Sequence, residues 1–124
     1  MKFVEYNLIM ANNCVVRTFS KLMNKEVIII EKELIELMNE MNHESYTDIE
    51  VFEKYLEINC FYKIDDVDLN KKIGEFNLNN GKYSIFCYNK DSYYHMTAVI
   101  NNVLYDKSDK TFELYPISIY KLKI

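Results

Sequence analysis

Hydrophobic spacing changes period part-way along this 124-residue chain, and that change limits the fold more than any other feature. Between positions 14 and 58, apolar side chains recur at the spacing of helices with one buried stripe. Between 82 and 122 they alternate, the spacing of strands with one buried face. A chain ordered this way is expected to be α+β, with N-terminal helices packed on a C-terminal antiparallel sheet. No compositional seam or linker divides it, so a single domain over residues 1–124 is expected.

Asn12 and Asn13 precede a first helix that should begin at or beside Cys14 and turn Val15, Phe19, Leu22 and Met23 inward. After a turn at Asn24-Lys25, residues 30–41 set Leu34, Ile35, Leu37, Met38 and Met41 along one stripe, with Glu and Lys opposite. Thr47-Asp48-Ile49-Glu50 has the form of a capping box. It predicts a third helix that buries Val51, Phe52, Tyr55, Leu56 and Ile58 and ends near Asn59. An acidic, mixed stretch over 61–81 closes on the turn signal Asn79-Asn80-Gly81. Strands are then expected at 82–88, 93–100, 103–106 and 114–122; Pro116, near the start of the last, suits an edge or a strand beginning. With Asn101-Asn102 as a two-residue turn, position 100 pairs with 103 and 97 with 106.

Apolar residues make up 49% of the chain, including 7 Phe and 11 Tyr, enough area for a core that needs neither disulfides nor a structural metal. The formal charge of -4 gives no attraction to phosphate backbones or anionic lipid, and no basic run is denser than Lys71-Lys72. Neither a nucleic-acid nor a membrane partner is therefore expected. Residues 1–10 hold an apolar stretch broken by Glu5 and Asn7, unlike a signal sequence or a membrane span. The 3 cysteines, at positions 14, 60 and 87, are an odd number and point to free thiols in a reducing compartment, so a cytoplasmic protein is expected. With 2 Gly and 1 Pro in the chain, Asn must supply most turn conformations.

Three residues carry the chemistry. Cys14 sits at a helix start, where N–H groups without an intrahelical partner and a partial positive charge favour thiolate over thiol. His95 falls within a strand whose alternation puts Tyr93, His95 and Thr97 on one face and Tyr94, Met96 and Ala98 on the other. Asp106 ends the next strand, and the hairpin register places it diagonal to His95 on the same face. A thiol nucleophile, an imidazole within reach and a carboxylate that fixes the imidazole's tautomer are the parts that thiol acyl transfer requires.

The order is Cys at the start of the first helix, His on a strand roughly 80 residues later and Asp at the end of the following strand. It resembles the minimal papain-like cysteine peptidases, among them NlpC-type wall hydrolases and the peptidase domains that process bacteriocin leaders. Asn13-Cys14-Val15-Val16-Arg17 is similar to the Asp/Asn-Cys-x-x-Arg opening of small, often phage-encoded, papain-like proteins. The segment from His95 to Asp106 resembles their His-x-x-x-Val followed by a turn and Asp. The resemblance implies a papain-like fold and a cofactor-free hydrolase of protein or peptide substrates, cleaving a peptide, isopeptide or side-chain amide. In it Cys14 attacks the carbonyl, His95 takes and returns the proton, and Asp106 holds His95. The oxyanion-hole Gln that such enzymes carry one turn upstream of the Cys is absent, and Asn7 is the nearest amide able to stand in for it.

The remaining candidates have plainer readings. Arg17 lies one turn past Cys14, as a surface or helix-to-sheet ion pair or, in a functional version, as a brace for a carboxylate near the site. His43, near a helix end, reads as a solvated residue that favours the helix dipole. Cys60 and Cys87 flank aromatic residues and read as core fillers. No pair among the cysteines and histidines has the spacing of a structural zinc site, so no metal is expected. Tyr83, Tyr88, Tyr93 and Tyr94 suit strand-face packing more than a substrate groove. A rival from another class is a catalytically inactive papain-like module, of the kind a phage could encode, that binds or inhibits a protein through an acidic, tyrosine-rich surface. The missing Gln favours it.

Overall fold

Local sequence decides where most elements begin and end. In the computed structural model, which describes residues 1–7, 13–89, 91 and 93–123, Asn13 adopts an extended backbone and its side chain accepts the Val16 N–H at 2.9 Å. Helix α1 (Cys14–Met23) therefore starts with the cysteine as its first residue and ends at Asn24, whose left-handed backbone (φ 53°) donates its N–H to the Ser20 carbonyl. Helix α2 (Val27–Glu40) starts earlier than its apolar stripe suggests, and buries Ile30, Leu34 and Leu37. Helix α3 (Ile49–Ile58) starts without the expected capping box. Its N-cap is Asp48, and the Thr47 hydroxyl is taken by the Ser45 hydroxyl at 2.6 Å. Ile35 and Ile58, expected on the buried stripes, are exposed.

Strand β1 (Lys2–Glu5) precedes the helices; β2 (Phe61–Lys63), β3 (Lys82–Tyr88), β4 (Tyr94–Ile100), β5 (Val103–Asp106) and β6 (Tyr115–Leu122) follow them. Short 3-10 turns lie at Ile73–Glu75 and Asp109–Glu113. The strands form one sheet in the order β1-β5-β4-β3-β6-β2, so the protein is α+β, with three α-helices on a six-stranded sheet among the described residues. The sheet is mixed where a purely antiparallel one was expected, because β1 runs parallel to β5, with Lys2 beside Val103 and Glu5 beside Asp106. That pairing covers the β5 edge and brings the N-terminal segment to Asp106, whose carbonyl accepts the Tyr6 N–H at 2.7 Å.

The β4–β5 hairpin has the expected two-residue turn. Asn101 (φ 50°) and Asn102 (φ 64°) both take positive φ, as a type I′ turn demands, and Ile100 pairs with Val103. Outside glycine, the described positive-φ residues are Asn24, Asn42, Asn80, Asn101, Asn102 and Cys60, so Asn carries most of the left-handed turn work. Pro116 is the second residue of β6, which lies inside the sheet. β2 pairs only with the far end of β6, and β3 slips register by a bulge between Phe86 and Cys87 beside Pro116. The missing proline N–H therefore sits at a strand beginning where the ladder is already irregular.

The helices cover one face of the sheet, where Val16, Phe19, Leu34, Phe52 and Leu56 pack with Met96 and Ala98. On the other face Ile85, Cys87, Val99, Leu104 and Ile119 form a second cluster with Ile73, roofed by Val67, Phe76, Phe112 and their neighbours. Among the described residues no helix is long and apolar enough to cross a membrane.

Candidate active site

Cys14, His95 and Asp106 come together. Helix α1 lies against β4, which sets its first residue beside the start of that strand, where the His95 ring and the Met96 backbone act on the Cys14 thiol. The His95 ring turns Nε2 to Asp106 Oδ2 at 2.7 Å, which leaves Nδ1 for the thiol. Both partners are nearly sealed from solvent, His95 at 8% exposed and Asp106 at 1%.

Asp106 is held from several sides. Its Oδ2 also accepts the Thr111 hydroxyl at 2.9 Å, while Oδ1 accepts the Lys107 N–H at 2.6 Å and pairs with the Arg17 guanidinium at 3.3 Å. Arg17 is itself buried and projects from α1 one turn beyond Cys14, so the same helix delivers both the thiol and the brace for the carboxylate. Thr97, on the strand face that carries His95, adds to the polar surroundings of Asp106. Tyr93 stacks on the imidazole, ring centres 5.9 Å apart and planes 18° off parallel.

The charges in this cluster support one another. Burial alone would push the Cys14 thiol up, but its hydrogen bond to His95, the imidazolium charge, the Met96 N–H and Arg17 together bring it below its ordinary value. Burial likewise works against a charged His95, and the hydrogen bonds and charges of Asp106 and Cys14 outweigh it, raising the imidazole to about 9. For Asp106, burial is again overcome, here by His95 first and by Thr97 and Thr111 after it, so its carboxyl stays below the usual carboxylate range. Each group thus favours the charged form of its neighbour: a thiolate beside an imidazolium, with an ionised carboxylate behind them.

No family model, curated protein or solved structure matches this chain.

A cleft of about 740 Å³ opens in front of Cys14 and His95, floored by Phe52, Phe86, Tyr94 and Met96 and rimmed by the start of α3. Tyr94 is 59% exposed, so it belongs to the cleft surface and not to a strand-face core. The amide of Asn13, which neighbours the thiol, is committed: it caps α1 through Oδ1 and donates from Nδ2 to the Tyr46 hydroxyl at 2.8 Å. Asn7 lies exposed just past the end of β1, and no described hydrogen bond ties it to Cys14 or His95. Asn13 also takes the Val16 and Arg17 N–H groups, which leaves those of Cys14 and Val15 as the main-chain donors at the start of α1 with no partner among the described residues.

His43 is more than a solvated helix-end residue. It bridges Asp48 (Nδ1 to Oδ2, 2.9 Å) and Glu50 (Nε2 to Oε2, 3.2 Å) on the cleft rim, and the Asp48 hydrogen bond first, with Glu50 assisting, raises its pKa. Cys87 is a core residue: its thiol donates to the His95 carbonyl at 3.3 Å, and burial, then the Asp106 and Cys14 charges, push it well above its ordinary value. Cys60, expected as a core filler, is exposed, because it takes a left-handed backbone (φ 70°) at the turn that ends α3. Among the described residues no group of three His, Cys, Asp or Glu side chains is arranged to hold a metal ion. The Thr111 contact had no sequence signal, since a 3-10 turn five residues past Asp106 delivers it.

Proposed function

We propose that this chain is a cysteine hydrolase of papain-like type that cleaves an amide, with Cys14 as nucleophile, His95 as general base and acid, and Asp106 as the group that orients His95. The observation that carries the reading is a helix-start thiol that shares one cleft with His95, whose ring is held from behind by the buried Asp106 at 2.7 Å. The layout supports it too: a cysteine-bearing helix crosses a sheet whose adjacent strands present His and Asp.

In the reaction the Cys14 thiolate adds to the amide carbonyl carbon, forming a C–S bond and placing negative charge on the carbonyl oxygen. The N–H groups of Cys14 and Val15, which Asn13 leaves uncapped, are the α1 donors that meet that charge. His95 gives its proton to the amide nitrogen, the C–N bond breaks, and the amine leaves with the acyl group held as a thioester. Water then attacks the thioester while His95 takes its proton. The acid departs, and the thiolate–imidazolium pair is restored. Asp106 keeps the ring turned so that one nitrogen always faces the thiol, and Arg17 and Thr111 keep Asp106 in place.

The test is labelling by a peptidyl acyloxymethyl ketone, an electrophile that presents a carbonyl to an activated thiol. Cys14 of the wild type should become modified, with the signal lost in Cys14→Ala and reduced at least about a hundredfold in His95→Ala, the scale of a general base. Labelling of His95→Ala at the wild-type rate would leave Cys14 a merely accessible thiol and end the reading.

A further inference from the structure

The cleft in front of Cys14 carries more information than the relay behind it. In the acyl-enzyme stage the carbonyl carbon is bonded to the Cys14 sulfur, so the cleft that Cys14 itself lines holds substrate groups next to the scissile amide. At about 740 Å³ it is on the scale that encloses a molecule of several linked groups, well beyond one carboxamide side chain. Its floor is aromatic. Phe86 and Tyr94 stack with centres 5.8 Å apart and planes 11° off parallel, Phe52 leans on Phe86 at 5.1 Å, and the outer Tyr94 face is open.

The rim has the opposite character. Asp48 and Glu50 stand at the mouth, with side chains 47% and 78% exposed, and among the described residues no Lys or Arg lines the cleft. Among the described residues, His43 is the one base that meets them, and it is shared between the two carboxylates. A ligand that lays a hydrocarbon stem over Tyr94 and carries a planar cation to the rim satisfies both features together.

On the hydrolase reading, we infer that the substrate is a peptide with a basic residue, arginine before lysine, close to the scissile amide. The stem of that residue lies on the Phe86–Tyr94 surface and its head pairs with Asp48 and Glu50. A flat guanidinium both stacks on the exposed ring and forks toward carboxylates, whereas an ammonium does only the second well.

The experiment uses Cys14→Ala protein, so binding is read without chemistry. Two short peptide amides are compared, one with arginine and one with citrulline, its neutral isostere, in the same position. Amide NMR shifts should move at Asp48, Glu50 and Tyr94, and the arginine peptide should bind about tenfold more tightly. In Asp48→Asn/Glu50→Gln protein with an unchanged circular-dichroism spectrum, that preference should fall below about twofold. Glu50→Lys, an exposed single change, should reverse it. Equal binding of the two peptides, an arginine preference that survives the double substitution, or no shift with either peptide overturns the inference. Failure of the hydrolase reading would show separately, in the ketone labelling, which needs the thiol and no charged substrate.

Discussion

Severing Arg17 from Asp106 tests how the site is held together. Arg17 is 5% exposed and Asp106 1%, so neither charge can turn to water when the other is removed. Breaking a buried pair by removing one partner costs about 3–5 kcal/mol, and Arg17→Met should fall near the low end, about 3 kcal/mol, because Asp106 keeps His95, Thr111 and the Lys107 N–H. Asp106→Asn strands the guanidinium instead and should cost about as much. Removing both leaves no orphaned charge, so the double variant should lose about 2 kcal/mol less than the sum of the two single changes. Urea unfolding followed by circular dichroism reads this directly: at an m-value of about 2 kcal/mol/M, 3 kcal/mol moves the midpoint by about 1.5 M. Costs that add within about 0.5 kcal/mol would mean that the two residues do not act as a pair, and would refute the reasoning.

Four further outcomes follow from the same structure. Hydrolysis should follow a bell-shaped pH profile, rising as Cys14 ionises below its ordinary range and falling as His95 loses its proton near about 9; a basic limb near 6.5 would contradict it. Because the folded pKa of His95 is raised, its contribution to stability is complete below about 6.5 and fades as pH climbs through about 9, which pH-dependent unfolding would reveal. Phe19 is fully buried with its ring 5.0 Å from Tyr55, so Phe19→Ala should cost about 3–5 kcal/mol, and a loss under about 1.5 would place it outside the core. At the hairpin, Asn101→Ala loses both an easily reached positive φ and the side-chain acceptor for the Gly81 N–H; it should cost about 2 kcal/mol, and Asn101→Gly about half that. Equal losses would mean that backbone conformation does not matter there.

Much of this arrangement was legible because it is locally encoded. Asn13 before Cys14 marks a helix start by its own side-chain bond, and Asn101-Asn102 fixes a hairpin register that carries Asp106 alongside His95. Once those two signals are read, the relay needs only that α1 lie on β4. What the sequence hid depends on contacts between distant segments. Strand β1 is four residues with mostly exposed side chains, stabilised by the β5 edge, and nothing in Lys2–Glu5 alone marks it as a strand. The three residues of β2 are similar, held by the far end of β6. The capping-box pattern at Thr47 failed because Ser45 offered the hydroxyl a nearer partner. Cys60 reads as apolar by type, yet it sits where α3 ends in a left-handed turn, and the turn puts it outside. His43 could be placed near a helix end from sequence, but its two carboxylate partners come from the start of α3, which only the fold brings round.

The most direct measurement is the rate at which each cysteine reacts with limiting iodoacetamide near pH 6, resolved by peptide mapping. Accessibility alone favours Cys60, which is exposed, over Cys14, which is partly covered, and Cys87 is buried. Activation by His95 reverses that order, so Cys14 should be modified at least about tenfold faster than Cys60, and the advantage should vanish in His95→Ala. Cys60 reacting as fast as Cys14, or faster, would contradict the thiolate–imidazolium pair on which the hydrolase reading stands.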